Sequence, residues 1–221
     1  MEIVVDISPN IHRNELSIWK SIVSTLHLSD IGIHKVVLKS QLFEIAGKNL
    51  VQDRGMFALA AQWAWEYCGY KTTSSVFDRR SVDFLLNLPL PYELPFVKVA
   101  ATPAQRRILD WIPRGVKVYM SVTDVEEYLE EEQSIITLFT VPKYPAELSD
   151  YSSINNERDK RISDHTPGLE LFNAYRGTIA IWEKHIRWNE WLEAGQPKSS
   201  PDDGPFALYP DEMAKILKGE Y

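Results

Sequence analysis

The sequence predicts a closed (β/α)8 barrel of the TIM type, and three observations lead there. Eight short apolar runs rich in Val, Ile and Thr recur along the 221 residues, segments with helical spacing separate them, and the two kinds alternate throughout. Such alternation is the pattern of parallel βαβ units, and eight units point to closure. A doubly wound open sheet shares the alternation and stays open as the alternative. A barrel of this kind takes about 250 residues, so the loops are expected to be short. No room remains for a second domain, and residues 1–221 are expected to form one barrel.

The candidate strands are, in order, EIVVDIS from Glu2, KVVLKSQ from Lys35, KTTSSVF from Lys71, FVKVAA from Phe96, KVYMSV from Lys117, SIITLFTV from Ser134, RISDH from Arg161 and TIAIWEKH from Thr178. After the first strand, Ile18, Trp19, Ile22, Val23 and Leu26 recur at three- and four-residue steps, with Asn14 as N-cap. The run RGMFALAAQWAWEYC has Asp53 before it and Gly69 after it, a start and a stop signal. RRSVDFLLN follows Asp78, and PAQRRILDWI opens on Pro103, whose missing N–H costs little in a first turn. Glu126 stands three residues after Thr123, a capping-box spacing. TPGLELFNAYRG is expected to begin at Thr166 and Pro167 and to stop at Gly177, and PDEMAKILKG forms the last helix. The sixth connection, ELSDYSSINNERDK, is polar and weakly patterned, so it predicts a loop with one helical turn.

Bulk properties bound the function. A composition 44% hydrophobic and 25% charged suits a soluble globular protein with a sizeable core. The formal net charge of -7 argues against a nucleic-acid partner, which needs a basic stripe to offset phosphate charge. Cys68 stands alone, which excludes an internal disulfide and fits a reducing compartment. MEIVVDISPN lacks the basic start of a signal peptide, and no apolar run is long enough to span a membrane. The expected location is cytoplasmic, with small molecules as partners. No feature fixes the oligomeric state, and a homo-oligomer stays open.

In a barrel the active site lies at the C-terminal ends of the strands. The polar residues there are Asp6, Ser8, Lys39, Gln41, Ser74, Ser75, Asp78, Lys98, Ser121, Tyr144, Ser163, Asp164, His165, Glu183 and His185. His165 and His185 end neighbouring strands, so they are either two satisfied structural histidines or two ligands of one divalent metal. Lys39 and Lys98 sit within apolar strands and must carry their charge into the lumen. A buried lysine without a counter-charge is costly, so the two favour an anionic ligand or pair with Asp6, Asp78 or Glu183. Other features read as structural: Trp63 and Trp65 cannot both face the core, EEYLEEE is a solvated helix face, and Cys68 has no histidine signature beside it.

Five stretches in order, SSVFDRRSVDFL, FVKVAA, ISDHTPG, WEKH and LYPDEM, resemble the catalytic barrel of the sialic acid synthases. The resemblance runs from about Asp6 to the C-terminus, with SDHTPG and EKH as its most specific parts. It implies a transferase of carbohydrate biosynthesis that joins phosphoenolpyruvate to N-acetylmannosamine or another aldose. By the same resemblance, His165 and His185 bind manganese or magnesium, and Lys39, Lys98, Ser75, Ser121 and Ser163 surround phosphoenolpyruvate. Gln41, Tyr144 and Asp203 fall near the acceptor sugar, with Asp202 nearly as good a match as Asp203. Asp6 stands where the family has a glutamate that assists acid/base steps or acceptor binding.

The departures fall on the acceptor side. Ala101 and Pro103 stand where the family continues with a serine and a glutamate, and Pro142 replaces an asparagine or serine before Tyr144. The turn after strand five is shortened to SVTDVEE, and the barrel is expected to stand without the family's C-terminal antifreeze-like domain. Three readings follow: a divergent synthase, a non-catalytic barrel that binds or serves an assembly, and another barrel lyase or aldolase that uses the same anion pocket.

Overall fold

A computed structural model describes residues 1–7, 16–42, 54–129, 134–187 and 206–221. Its eight parallel strands close into one barrel in chain order. They are β1 (Glu2–Asp6), β2 (Lys35–Leu42), β3 (Lys71–Val76), β4 (Val97–Val99), β5 (Val118–Val122), β6 (Ile135–Thr140), β7 (Lys160–Asp164) and β8 (Ile179–His185). β1 pairs with both β2 and β8, so the sheet has no edge and the open-sheet alternative falls away.

The helices are α1 (Leu16–Ser29), α2 (Arg54–Cys68), α3 (Arg79–Asn87), α4 (Pro103–Arg106), α5 (Val125–Leu129), α6 (Glu170–Tyr175) and α7 (Pro210–Leu217). A 3-10 turn, Arg107–Trp111, extends α4, and another, Leu148–Ile154, is the helical turn expected in the sixth connection. Gly69 ends α2 with φ 72°, a conformation that a side chain would strain. Asp78 is the N-cap of α3 and accepts from Ser81 N–H at 2.7 Å, so its carboxylate serves the helix rather than the lysines.

Two helix starts differ from expectation. α5 begins at Val125, and Asp124 Oδ1, not a Thr123 box, accepts from Glu126 N–H at 2.7 Å, because a carboxylate suits a helix N-terminus better than a hydroxyl. α6 begins at Glu170 rather than at Thr166. Pro167 disfavours helical backbone at Thr166, whose N–H and Oγ1 bond Asp164 Oδ1 instead, at 2.7 and 2.8 Å. Asn14, Asp53, Ser8 and Asp203 lie outside the described residues.

Strand alternation divides the core in two. Val4, Val37, Phe96, Tyr119, Leu138 and Ile181 fill the lumen. Ile3, Val5, Leu38, Ile162 and Trp182 face outward and pack with Trp19, Ile22, Val23 and Leu26 of α1, all fully buried. On the opposite wall Val76, Val97 and Val99 meet Phe57 of α2 with Val82 and Leu85 of α3. Trp63 and Trp65 are both half-buried: Trp63 stacks on Tyr67 and packs against the edge of the core, whereas Trp65 packs on Tyr92. Among the described residues, no helix is long and apolar enough to cross a membrane.

Candidate active site

The polar residues expected at the mouth meet because the strand register puts them side by side. Asp6 pairs in register with Lys39 on one side and His185 on the other. Ser75 is the partner of both Gln41 and Lys98, and Ser163 the partner of Glu183. All point into the lumen above the apolar layer of Val4, Val37 and Ile181, which keeps water from below.

Two lysines and two carboxylates form the floor. Lys39 Nζ lies 2.5 Å from Asp6 Oδ2, 2.6 Å from Glu183 Oε1 and 3.0 Å from Ser75 Oγ. Lys98 Nζ bonds Ser121 Oγ, with Val99 O at 3.3 Å and Glu183 Oε2 at 3.5 Å. Glu183 therefore bridges the two cations, one oxygen to each. Burial raises the Glu183 carboxyl, but Lys39 and Lys98 outweigh it and hold the group at about 2. Burial also opposes the Lys39 charge, yet Asp6 and Glu183 in contact keep its ammonium above the ordinary lysine range. Lys98 has one carboxylate at longer range, so burial prevails, Lys39 adds to it, and the pKa is lowered.

Above this floor stand the histidines. His165 and His185 have ring centroids 5.9 Å apart, and both rings are buried. His165 Nδ1 lies 2.7 Å from Val141 O, which fixes the proton on Nδ1 and leaves Nε2 with its lone pair. Burial first, and His185 second, lower the His165 pKa to about 4, so the ring is neutral at pH 7. His185 Nδ1 is 3.6 Å from Asp6 Oδ2, and Gln41 Nε2 donates to the same oxygen at 3.4 Å. Tyr144, 48% exposed, lies over His165 with centroids 4.3 Å apart.

The two histidines fit a divalent cation as a pair. Metal–nitrogen bonds of about 2.1 Å place two imidazole centroids on one ion at most about 6.5 Å apart, and the observed separation lies inside that limit. The carbonyl behind His165 Nδ1 is the outer partner such a ligand requires. Among the described residues there is no group of three His, Cys, Asp or Glu that could hold a metal, so further positions would fall to water or substrate.

The sequence reading left Phe206 out. The chain after β8 returns so that Leu208 N–H donates to His185 O at 2.9 Å, and this sets the fully buried Phe206 ring 5.1 Å from His185 and 5.6 Å from His165. Glu183, expected only as one of three alternative counter-charges for the lysines, is the centre of the charge cluster and pairs with both.

No protein-family model matches this chain, and no curated protein matches it in sequence. Among solved structures, the phospho-2-dehydro-3-deoxyheptonate aldolase (DAHP synthase) of Thermotoga maritima is similar with a TM-score of 0.63 at 11% identity, over 99% of this chain and 68% of that one. A truncated form of the 3-deoxy-D-arabino-heptulosonate 7-phosphate synthase of the same organism gives a TM-score of 0.60 at 10% identity, over 99% of this chain and 84% of that one. At such identities the likeness is one of fold: a parallel (β/α)8 barrel shared over nearly the whole of this chain.

Proposed function

We propose that this protein is a sugar-acid synthase that condenses phosphoenolpyruvate with the open-chain aldehyde of an aldose, N-acetylmannosamine or an analogue, with a divalent metal, manganese or magnesium, at His165 and His185. The observation that carries this reading is the buried Lys39–Glu183–Lys98 cluster directly below the two histidines. It places two lysines, balanced by Asp6 and Glu183, beside the Ser75 and Ser121 hydroxyls where the sialic acid synthase resemblance expects phosphoenolpyruvate. The two similar barrels, by their names synthases of a 3-deoxy sugar acid phosphate, support the same broad class.

The reaction balances as phosphoenolpyruvate plus aldose plus water giving a 2-keto sugar acid plus inorganic phosphate. C3 of phosphoenolpyruvate forms a bond to the aldehyde carbon, water adds at C2, and the C2–O bond to phosphate breaks. Lys39, Lys98, Ser75, Ser121 and Ser163 bind the phosphate and carboxylate and orient C3 toward the histidines. Asp6, within reach of Lys39, Gln41 and His185, would take the proton from the attacking water. Tyr144, Gln41 and Asp203 would face the acceptor. The metal, when bound, polarises the aldehyde oxygen.

Calorimetric titration of phosphoenolpyruvate with and without manganese tests the reading, followed by phosphate release with a panel of aldoses. Binding strengthened by the metal, and phosphate release with at least one aldose, are expected. Absence of binding under both conditions removes the synthase and leaves a barrel retained for its surface.

One observation favours a second reading. The lowered pKa of Lys98 is what a Schiff-base aldolase needs. Borohydride reduction in the presence of pyruvate would then fix a covalent adduct on Lys98, and an unmodified mass excludes it.

A further inference from the structure

Behind the two histidines, on the helix-facing side of β7 and β8, lies an ion pair that the proposed chemistry does not use. Alternation sends Ser163, His165, Glu183 and His185 into the lumen and Asp164, Trp182 and Lys184 outward. Most outward positions are apolar, as Ile3, Val5, Leu38 and Ile162 are, yet here Lys184 Nζ lies 3.0 Å from Asp164 Oδ2 with both side chains at 0% exposure. Asp164 Oδ2 also accepts from Trp182 Nε1 at 2.9 Å, and its Oδ1 accepts from Thr166 N–H and Oγ1 at 2.7 and 2.8 Å. Lys184 closes the network on Thr166 O at 2.6 Å.

Stability alone does not account for this pair. Exchanging a buried ion pair for apolar side chains of similar volume is often neutral or stabilising. Position does account for it. Asp164 immediately precedes His165, and Lys184 immediately precedes His185. Thr166, held at both its N–H and its carbonyl, immediately follows His165. The network thus grips the backbone on both sides of His165 and ties it to the strand that carries His185.

We infer that Asp164 and Lys184 are positioning residues that set the spacing of His165 and His185, and through it the affinity of a divalent cation at that pair. The cation half of the inference rests on the metal reading proposed above; the spacing half does not.

The test uses the double variant Asp164→Asn/Lys184→Met, which removes the charges and keeps the volume. Two readouts are taken: Mn2+ affinity from the electron paramagnetic resonance of the free ion, and 15N resonances of the imidazole rings in the metal-free protein. The expected result is a loss of about ten- to hundredfold in Mn2+ affinity, with displaced ring signals for His165 and His185 and unmoved signals for His27 and His34. Ring signals of His165 and His185 unchanged from the parent overturn the inference. Displacement of all four, the mark of a barrel loosened throughout, overturns it equally. A parent protein that binds no Mn2+ sinks the metal reading instead, and the ring signals still decide the spacing. Should the double variant fail to fold, Lys184→Arg keeps a charge in place with altered reach. It is expected to displace the same two ring signals, and unmoved signals there refute the proposal.

Discussion

The two ends of the barrel lumen hold the same chemical pair, a lysine on a carboxylate, in opposite settings. At the N-terminal end Glu2 Oε2 meets Lys35 Nζ at 2.6 Å, with the lysine side chain 59% exposed. Glu2 Oε1 accepts from the Tyr119 hydroxyl at 2.8 Å, and the Tyr119 ring stacks on Phe96 with centroids 3.9 Å apart, closing the lumen from below. At the C-terminal end Asp6, Lys39, Lys98 and Glu183 are all buried, below the His165 and His185 rings and the Phe206 ring packed on them. Solvent at Lys35 screens the lower pair although Glu2 is mostly buried, whereas the upper cluster is desolvated at every charge and each depends on the others. The upper charges are dry and lean on one another, whereas the lower pair reaches solvent through Lys35 beside the aromatic plug.

The contrast breaks most severely at Glu183. Glu183→Ala leaves Lys98 without its contacting carboxylate and Lys39 with Asp6 alone. The loss should be about 3–5 kcal/mol in denaturant unfolding, and the variant should no longer bind phosphoenolpyruvate in an ordered way. A loss under about 1 kcal/mol would show that the upper cluster is screened like the lower pair.

The histidines give the next two effects. Metal-free His165 has a folded pKa of about 4 against an ordinary 6.5, so the unfolded chain binds the extra proton first as pH falls. Stability should therefore drop as pH goes from 6.5 toward 4, by up to about 3 kcal/mol. Urea midpoints at several pH values should show that slope in the parent and lose it in His165→Asn. Glu183, depressed to about 2, contributes in a lower window, below its ordinary 4.5, and so meets the His165 window only at its acid end. His165→Ala should leave the barrel folded and weaken Mn2+ by at least about a hundredfold, or about 2.7 kcal/mol. Unchanged metal content after dialysis would remove His165 from the site.

The part of the site that was legible in the sequence is the part set by strand period. Lys39 and Lys98 interrupt apolar strands and must enter the lumen, and His165 and His185 end adjacent strands, so a list of strand ends already contains the cluster. Glu183 was on that list, but nothing local tells a bridging carboxylate from a solvated one; its role needs the ring of strands closed. Phe206 was beyond reach, because its place depends on the return of the chain after β8 to bond His185. The Asp164–Lys184 pair had a signal: in IAIWEKH the period of two puts Trp182 and Lys184 on the helix side, where a lysine requires a carboxylate from the neighbouring strand. The misplaced start of α6 has the same origin, since Thr166 is held by Asp164, a contact within the turn that capping rules do not weigh against the helix.

The smallest effect sharpens the contrast from the lower end. Glu2→Gln removes the charge facing Lys35 but keeps an oxygen that can accept from Tyr119. Because Lys35 is mostly in water, the ion pair itself should contribute no more than about 1 kcal/mol. Phosphoenolpyruvate and Mn2+ affinities should stay at the parent's values, since the apolar layer of Val4, Val37, Leu138 and Ile181 lies between the two ends. Tyr119→Phe is the companion change. It takes the hydroxyl from between Glu2 and Lys117 and should cost about 1 kcal/mol for the lost hydrogen bonds. Substrate affinity that followed either lower-end variant would mean that the apolar layer transmits charge effects along the lumen, and that the two ends act as one electrostatic unit.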